Sequence, residues 1–140
     1  MPSARHPRTA ALTLATTLAS ALTTACATPH TYSDSATTPW REPPSYTYTL
    51  TADTQILSGT FHLTVHHLRV TTTPPHPSTQ LPTIGTLLTR LRTARHHHAD
   101  TADIAYAPDG RPTRIVLDED RNAVDDEETY LITAFRLAPG

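Results

Sequence analysis

Apolar and polar residues alternate along several short stretches of the chain. The alternation is strict over residues 45–51, with large side chains on one side and threonines on the other, which is typical of a strand with one buried face. It resumes over residues 60–70, but its phase changes at His66-His67. A bulge or a tight turn there would return both halves of this second strand to the core.

The spacing then changes to that of a helix, after a proline-rich loop over residues 71–82. Thr83 is a suitable N-cap, because its hydroxyl can accept a hydrogen bond from the first helical turn. Apolar residues follow at intervals of three and four, which predicts an amphipathic helix of about three turns. These apolar positions are Ile84, Leu87, Leu88, Leu91 and Ala94.

Three further strands are predicted after the helix, over residues 103–107, 111–118 and 128–137. The first two are joined by a Pro-Asp-Gly turn at 108–110, where proline presets φ and glycine accepts a positive φ. The predicted order is ββαβββ. Short connections favour hairpins, so we expect an α+β fold: a five-stranded, mainly antiparallel sheet with one amphipathic helix packed on one face.

The N-terminal part has the organisation of an export signal. Residues 1–8 carry two arginines and no acid, and residues 9–25 are uncharged and made of Ala, Leu, Thr and Ser. A positive segment before a short apolar one predicts a cleaved signal peptide over residues 1–25. Residues 26–44 are then predicted to be a lipidated cysteine with a flexible tether, and residues 45–137 a small domain.

Cys26 is the only cysteine, so the chain cannot form an internal disulfide. Its position resembles a lipobox, in which a cysteine after small residues such as Thr24 and Ala25 receives a diacylglycerol. Thr23 departs from that pattern, since leucine is usual there. We expect a membrane anchor on Cys26 at the outer face of the cell membrane. Secretion is the alternative, because Ala25-Cys26-Ala27 also satisfies a small-x-small cleavage rule.

Composition and charge limit the source of the chain and the classes of partner that it is expected to bind. All 11 basic residues are arginine, which indicates a high-G+C bacterium. Residues 26–99 carry five arginines and three acids, whereas residues 100–128 carry ten acids and three arginines. No dense basic stripe with interleaved aromatics is present, so nucleic acid is not an expected partner.

The chain resembles a family of uncharacterised lipoproteins of high-G+C Gram-positive bacteria over about residues 43–136. The resemblance rests on an early Tyr-x-Tyr, a Thr-Ile that opens the helix, a central Tyr-x-x-x-Gly-x-Pro-Thr-x-Ile-x-x-Asp and a late Asp-Asp-Glu. Those residues are Tyr46, Tyr48, Thr83, Ile84, Tyr106, Gly110, Pro112, Thr113, Ile115, Asp118, Asp125, Asp126 and Glu127. The resemblance implies a domain of unknown function at the cell surface and implies no activity.

Two groups of residues are candidate metal ligands. Imidazole suits Zn, Cu and Ni, but three consecutive histidines at a helix end lack the usual ligand spacing of a zinc site. Asp, Asp and Asn at positions 1, 3 and 5 are typical of a calcium loop, but glycine at position 6 and glutamate at position 12 are missing. A solvated helix end and a charged hairpin are the alternatives. The candidate ligands are His96, His97, His98, Asp118, Asp120 and Asn122.

Motifs of enzymes are missing from the chain. It has no Gly-x-Ser-x-Gly, no phosphate-binding glycine loop and no His-Glu-x-x-His. We therefore expect a non-catalytic lipoprotein without a cofactor that binds an envelope protein or polymer or has a structural role. A metal-binding lipoprotein is the alternative, and a hydrolase is a more distant one.

Overall fold

Six strands form one antiparallel sheet, and a single helix packs on one of its faces. The computed structural model describes Tyr32, residues 40–75 and residues 81–138. Within these residues the sheet order is β3-β2-β1-β6-β5-β4, which confirms the predicted α+β class. The elements are β1 (Ser45–Asp53), β2 (Ser58–His66), β3 (Arg69–Thr72), α1 (Ile84–His96), β4 (Thr101–Tyr106), β5 (Pro112–Asp118) and β6 (Glu128–Leu137).

The prediction of five strands in ββαβββ order was wrong, because three strands precede the helix. The phase change at His66-His67 is a tight turn rather than a bulge. His67 and Leu68 have φ of 46° and 66°, which reverses the chain in two residues, and Arg69 then pairs with His66. This left-handed pair gives the twist that two-residue hairpins need, and it divides residues 60–70 between β2 and β3.

The core lies between α1 and one face of the sheet. Tyr46, Tyr48 and Leu50 of β1 are all buried there, as their alternation predicts. The helix begins at Ile84, and the Thr83 hydroxyl accepts the Thr86 N–H at 3.1 Å, so the predicted N-cap is confirmed. The opposite face of the sheet, here called the open face, carries threonines, histidines and arginines in contact with solvent.

A bulge in β6 changes which side chain reaches the core. Ala134 has φ of 49°, and the pairing with β1 shifts between Thr133 and Arg136. An extra residue in one strand turns the following side chain to the other face. Phe135 therefore packs against Tyr46, with ring centroids 5.3 Å apart, although strict alternation places it with Leu131 and Thr133.

The two ends of the sheet differ in charge. The strands β1, β3 and β5 begin at the end where α1 also begins, here called the helix N-terminal end. At the other end, β5 leads into β6 through residues 119–127, which contain five of the 13 acidic residues of the chain. In the described part of the chain, no helix has the length and apolar character that a membrane crossing requires.

Candidate functional site

The Tyr-x-Tyr motif joins the first strand to the start of the helix. The Tyr46 hydroxyl donates to Glu42 Oε1 at 2.5 Å and accepts the Ile84 N–H at 3.0 Å. Glu42 also accepts the Gly85 N–H at 3.1 Å. Two of the N–H groups that a helix start leaves unpaired are thereby satisfied, and the carboxylate lies at the positive end of the helix dipole.

Burial keeps the hydroxyls of Tyr46 and Tyr48 protonated and therefore uncharged. Burial raises the pKa of Tyr46 above its ordinary value of 10.0, and the hydrogen bond to Glu42 raises it further. Tyr48 donates its hydroxyl to the Pro82 carbonyl, and burial raises its pKa as well. Both tyrosines thus serve as hydrogen-bond donors in the core, which is a structural role.

Gly85 has a packing reason that the sequence does not reveal. A Cβ on this residue would lie 1.8 Å from Glu42 Oε2, so only glycine admits the carboxylate beside the helix. Glu42 lies upstream of β1, in the segment predicted as tether. The packed domain therefore begins before Ser45, and Trp40 contributes to it with an edge-on contact to Tyr46.

The central motif of the resemblance is also structural over most of its length. Gly110 has φ of 81° in the turn between β4 and β5, where glycine is favoured. Thr113 donates its hydroxyl to the Ala105 carbonyl at 3.1 Å. Pro112 and Ile115 are buried. These residues form a hairpin, and none of them offers a reactive group to solvent.

Asp118, the last residue of that motif, is different, because its side chain lies in a cavity lined by several carboxylates. The cavity has a volume of about 730 Å³, and Asp118 Oδ1 is shielded from solvent without a hydrogen-bond partner among the described residues. Burial raises the pKa of Asp118 most, and Asp126, Asp100 and Glu127 raise it further. We call this cavity the acidic pocket, and its acids are Asp53, Asp118, Asp125, Asp126 and Glu127.

The proposed calcium ligands are only partly brought together. Asp120 Oδ1 accepts both the backbone N–H of Asn122 at 2.9 Å and its side-chain amide at 3.0 Å. Asp126 Oδ2 accepts the Asp120 N–H at 2.8 Å. Asp118 instead lines the acidic pocket, whose lining does not include Asp120 or Asn122. The loop carboxylates thus fold the loop through their own hydrogen bonds.

The three histidines at the C-terminal end of α1 are exposed, and the rings of His96 and His97 lie 5.7 Å apart. Asp100, which follows them, accepts both the backbone N–H of Arg121 and its guanidinium, at 2.9 and 3.1 Å. Within the described residues, no group of three or more His, Cys, Asp or Glu side chains is arranged to hold a metal ion. The metal hypothesis stays a prediction.

A second cavity runs along the edge strand β3. It has a volume of about 900 Å³ and lies between β3, the β1–β2 loop and the first turns of α1. Two of its lining residues, Ile56 and Leu68, are 78% and 67% exposed, so solvent contacts apolar surface there. Arg90 at its inner side bonds the Tyr130 hydroxyl and pairs with Glu128 at 3.4 Å. We call this cavity the edge cleft.

The edge cleft was missed at the sequence level. Ile56 lies in a bend and Leu68 in a turn, and a single exposed apolar side chain is ordinary on a protein surface. They indicate a binding surface only because the fold places both of them at one groove. Cys26, the predicted signal peptide and most of the predicted tether lie outside the described residues.

A family model matches residues 34–137 of the chain. The chain belongs to the DUF6174 family. This is a family of unknown function, and the match covers the whole described sheet and helix. No curated protein and no solved structure matches the chain. Membership in the DUF6174 family therefore assigns the domain without assigning an activity to either cavity.

Proposed function

We propose that this chain is an exported lipoprotein, anchored through Cys26, whose domain is a non-catalytic module that binds an extended polypeptide of the cell envelope. The observation that carries the binding role is the edge cleft beside β3. Anchoring is supported by the leader before Cys26. The segment over residues 1–25 would be removed, and the mature chain would begin at the lipidated cysteine.

The backbone of β3 favours a polypeptide as the ligand. His66 and Arg69 flank the two-residue turn, so they form a hydrogen-bonded pair, and Val70 and Thr72 direct their N–H and C=O groups away from β2. No further strand of the described residues lies beyond β3. A bound chain in extended conformation would pair with these groups, as in β-strand addition.

The cleft would supply apolar contacts for alternate side chains of the same ligand. Val70 and Leu81 line it and pack against the core, and Ile56 and Leu68 stand at its rim. Its one arginine, Arg90, is paired with Glu128. Uncharged, apolar side chains therefore suit the groove better than acidic ones.

Site-specific photo-cross-linking in the producing cells tests this proposal. A benzophenone amino acid at position 68 should yield discrete adducts with an envelope protein. The same amino acid at position 133, on the open face, is the matched control. Hydrogen exchange of the purified complex should show slowed exchange at Val70 and Thr72. Equal adducts from both positions, or unchanged exchange at these amides, would contradict the binding role.

The anchor has its own test. Changing Cys26 to Ala should release the protein into the medium or block its processing. Processing and membrane association that continue as in the native protein would show that Cys26 is not the anchor.

A further inference from the structure

The strand pairings bring cationic side chains of three strands into one row on the open face. Arg69 of β3 pairs with His66 of β2, and His66 pairs with Ser45 of β1. Two residues further along β1, Thr47 pairs with Arg136 of β6. Residues opposite each other in an antiparallel pair share a face, so all five side chains lie on the open face. We call these five residues the cationic row.

The cationic row crosses the strands at the helix N-terminal end. The strands β3 and β6 are three strand spacings apart in the sheet, which is about 14 Å. Arg69, His66 and Arg136 are exposed, and no acid of the described residues pairs with either arginine. Of the described acids at this end, Glu42 is bonded to the start of α1 and Asp109 lies in the β4–β5 turn. The charges of the row are therefore available to a ligand.

Hydroxyl and imidazole groups lie between the two arginines. Nδ1 of His66 is 2.9 Å from Ser45 Oγ, which orients the ring, and Nε2 has no hydrogen-bond partner among the described residues. Thr47 adds a second hydroxyl beside Arg136. The guanidinium and hydroxyl groups offer donors to an anion along the whole row, and His66 adds one at Nε2 when it is protonated.

The acidic residues of the open face lie at its other end. Asp53 follows Ser45 by eight residues on β1, which is about 26 Å along the strand. Through the pairings of β6, β5 and β4, Asp103 lies level with Asp53 and Asp118 lies beyond it. A flat anionic surface against the open face would meet both the row and these carboxylates. A thin linear chain that crosses the strands would meet the row alone.

We propose that the cationic row binds a linear phosphodiester polymer, with phosphates at Arg69 and Arg136. A phosphodiester suits the row because its two charged oxygens can accept from a guanidinium and from a neighbouring hydroxyl at once. A polymer that carries bases is disfavoured, since all eight Phe, Tyr and Trp side chains belong to the core or pack against it and none offers a stacking surface on the open face. The site is separate from the edge cleft, because Arg69 and Val70 point to opposite faces of β3.

Anisotropy titrations with fluorescent poly(glycerol phosphate) test the proposal. The protein is used as processed and purified from the producing cells, in non-ionic detergent. Affinity should fall as salt rises, with a slope of log affinity against log salt of about −1.4, because two arginine–phosphate contacts contribute about 0.7 each. Uncharged dextran should not compete with the polymer.

Matched substitutions locate the site. Arg69→Gln and Arg136→Gln should each weaken binding about fivefold, the upper range for an exposed ion pair, and each should reduce the salt slope by about 0.7. Arg114→Gln removes an exposed arginine of the same face that lies outside the row, opposite Leu131, and should change neither quantity. Circular dichroism should show the same fold in all three variants.

Several outcomes would overturn the inference. Absence of binding, or an affinity that does not depend on salt, would exclude recognition by charge. Equal effects of Arg114→Gln and Arg136→Gln would assign binding to overall charge and not to the row. If polygalacturonate or single-stranded DNA binds as tightly as poly(glycerol phosphate), the row does not select a phosphodiester polymer without bases. Displacement of the polymer by phosphatidylglycerol vesicles at equal phosphate concentration would assign the row to a lipid surface.

Discussion

The helix N-terminal end and the acidic pocket both contain residues of the family pattern. Polar groups are paired with each other at the first, whereas like charges lie close together at the second. At the first, Tyr46 and Glu42 satisfy each other and the start of α1. At the second, Asp118 has a shielded oxygen without a described partner and carboxylates as neighbours. The first end stabilises the fold, whereas the second lowers its stability. A recurrent motif therefore does not by itself distinguish a structural joint from an electrostatically unfavourable site.

The largest expected effect is the loss of the tyrosine joint. Tyr46→Phe leaves Glu42 and the Ile84 N–H without their shared partner, and a buried polar group that loses its partner costs about 1–3 kcal/mol. We expect the free energy of unfolding in urea to fall by about 2 kcal/mol.

Tyr48→Phe is the matched variant for this measurement. Its hydroxyl serves the Pro82 carbonyl alone, so its removal should cost less. If Tyr48→Phe proves as damaging as Tyr46→Phe, the double role of Tyr46 is not what stabilises this end.

The next effect concerns the cap of the same helix. Thr83→Ala removes the oxygen that accepts the Thr86 N–H, and loss of an N-cap costs about 1 kcal/mol. Thermal unfolding should show a lower Tm. Thr93→Ala, at an exposed position inside α1, serves as the control and should raise the Tm slightly, since alanine favours helix.

A smaller, stabilising effect is expected at the β2–β3 turn, which lies at the same end. Leu68 has a left-handed backbone that costs about 1–2 kcal/mol for a residue with a Cβ. Replacing His67-Leu68 by Asn-Gly relieves this strain, and part of the gain is offset by the greater freedom of glycine in the unfolded chain. We expect a net gain of about 0.5 kcal/mol in chemical denaturation. Ile56→Gly removes another exposed apolar side chain, without a positive φ, and should give no gain.

The smallest effect is expected in the acidic pocket, and it depends on pH. The pKa of Asp118 is raised above its ordinary 3.8, so the folded state binds this proton more readily than the unfolded state does. Ionisation therefore lowers stability as the pH rises through the folded pKa. Asp118→Asn should raise the Tm at pH 7, and the gain should vanish below about pH 3.8.

Glu119→Gln removes one charge from an exposed position in the neighbouring loop, and its effect should be smaller at pH 7. An Asp118→Asn gain that persists unchanged in acid would mean that the carboxylate charge is not its cause.

Local patterns predicted much of the fold because they depend on neighbouring residues. The alternation in β1, the spacing of the apolar residues in α1 and the hydroxyl of Thr83 all act within a few positions of the chain. The β2–β3 turn was harder to predict. His67-Leu68 lacks the Asn-Gly or Asp-Gly that usually marks such a turn, so a bulge and a turn were equally consistent with the phase change.

The candidate sites were predicted less well, because they depend on contacts between distant positions. Asp118 and Asp53 are far apart in the chain, and only the pairing of β1 with β6 and of β6 with β5 brings them to one pocket. The edge cleft likewise requires β3 and α1 to lie beside each other.

The order of polar and apolar residues thus determined the class of the fold and the place of the helix, since these follow from local periodicity. Only the tertiary structure showed that a sixth strand forms, that Glu42 and Tyr46 bond to the helix, and that distant residues assemble into the acidic pocket and the edge cleft. Each of these depends on which strands become neighbours, and that choice is made by the burial of the whole core and not by any one segment.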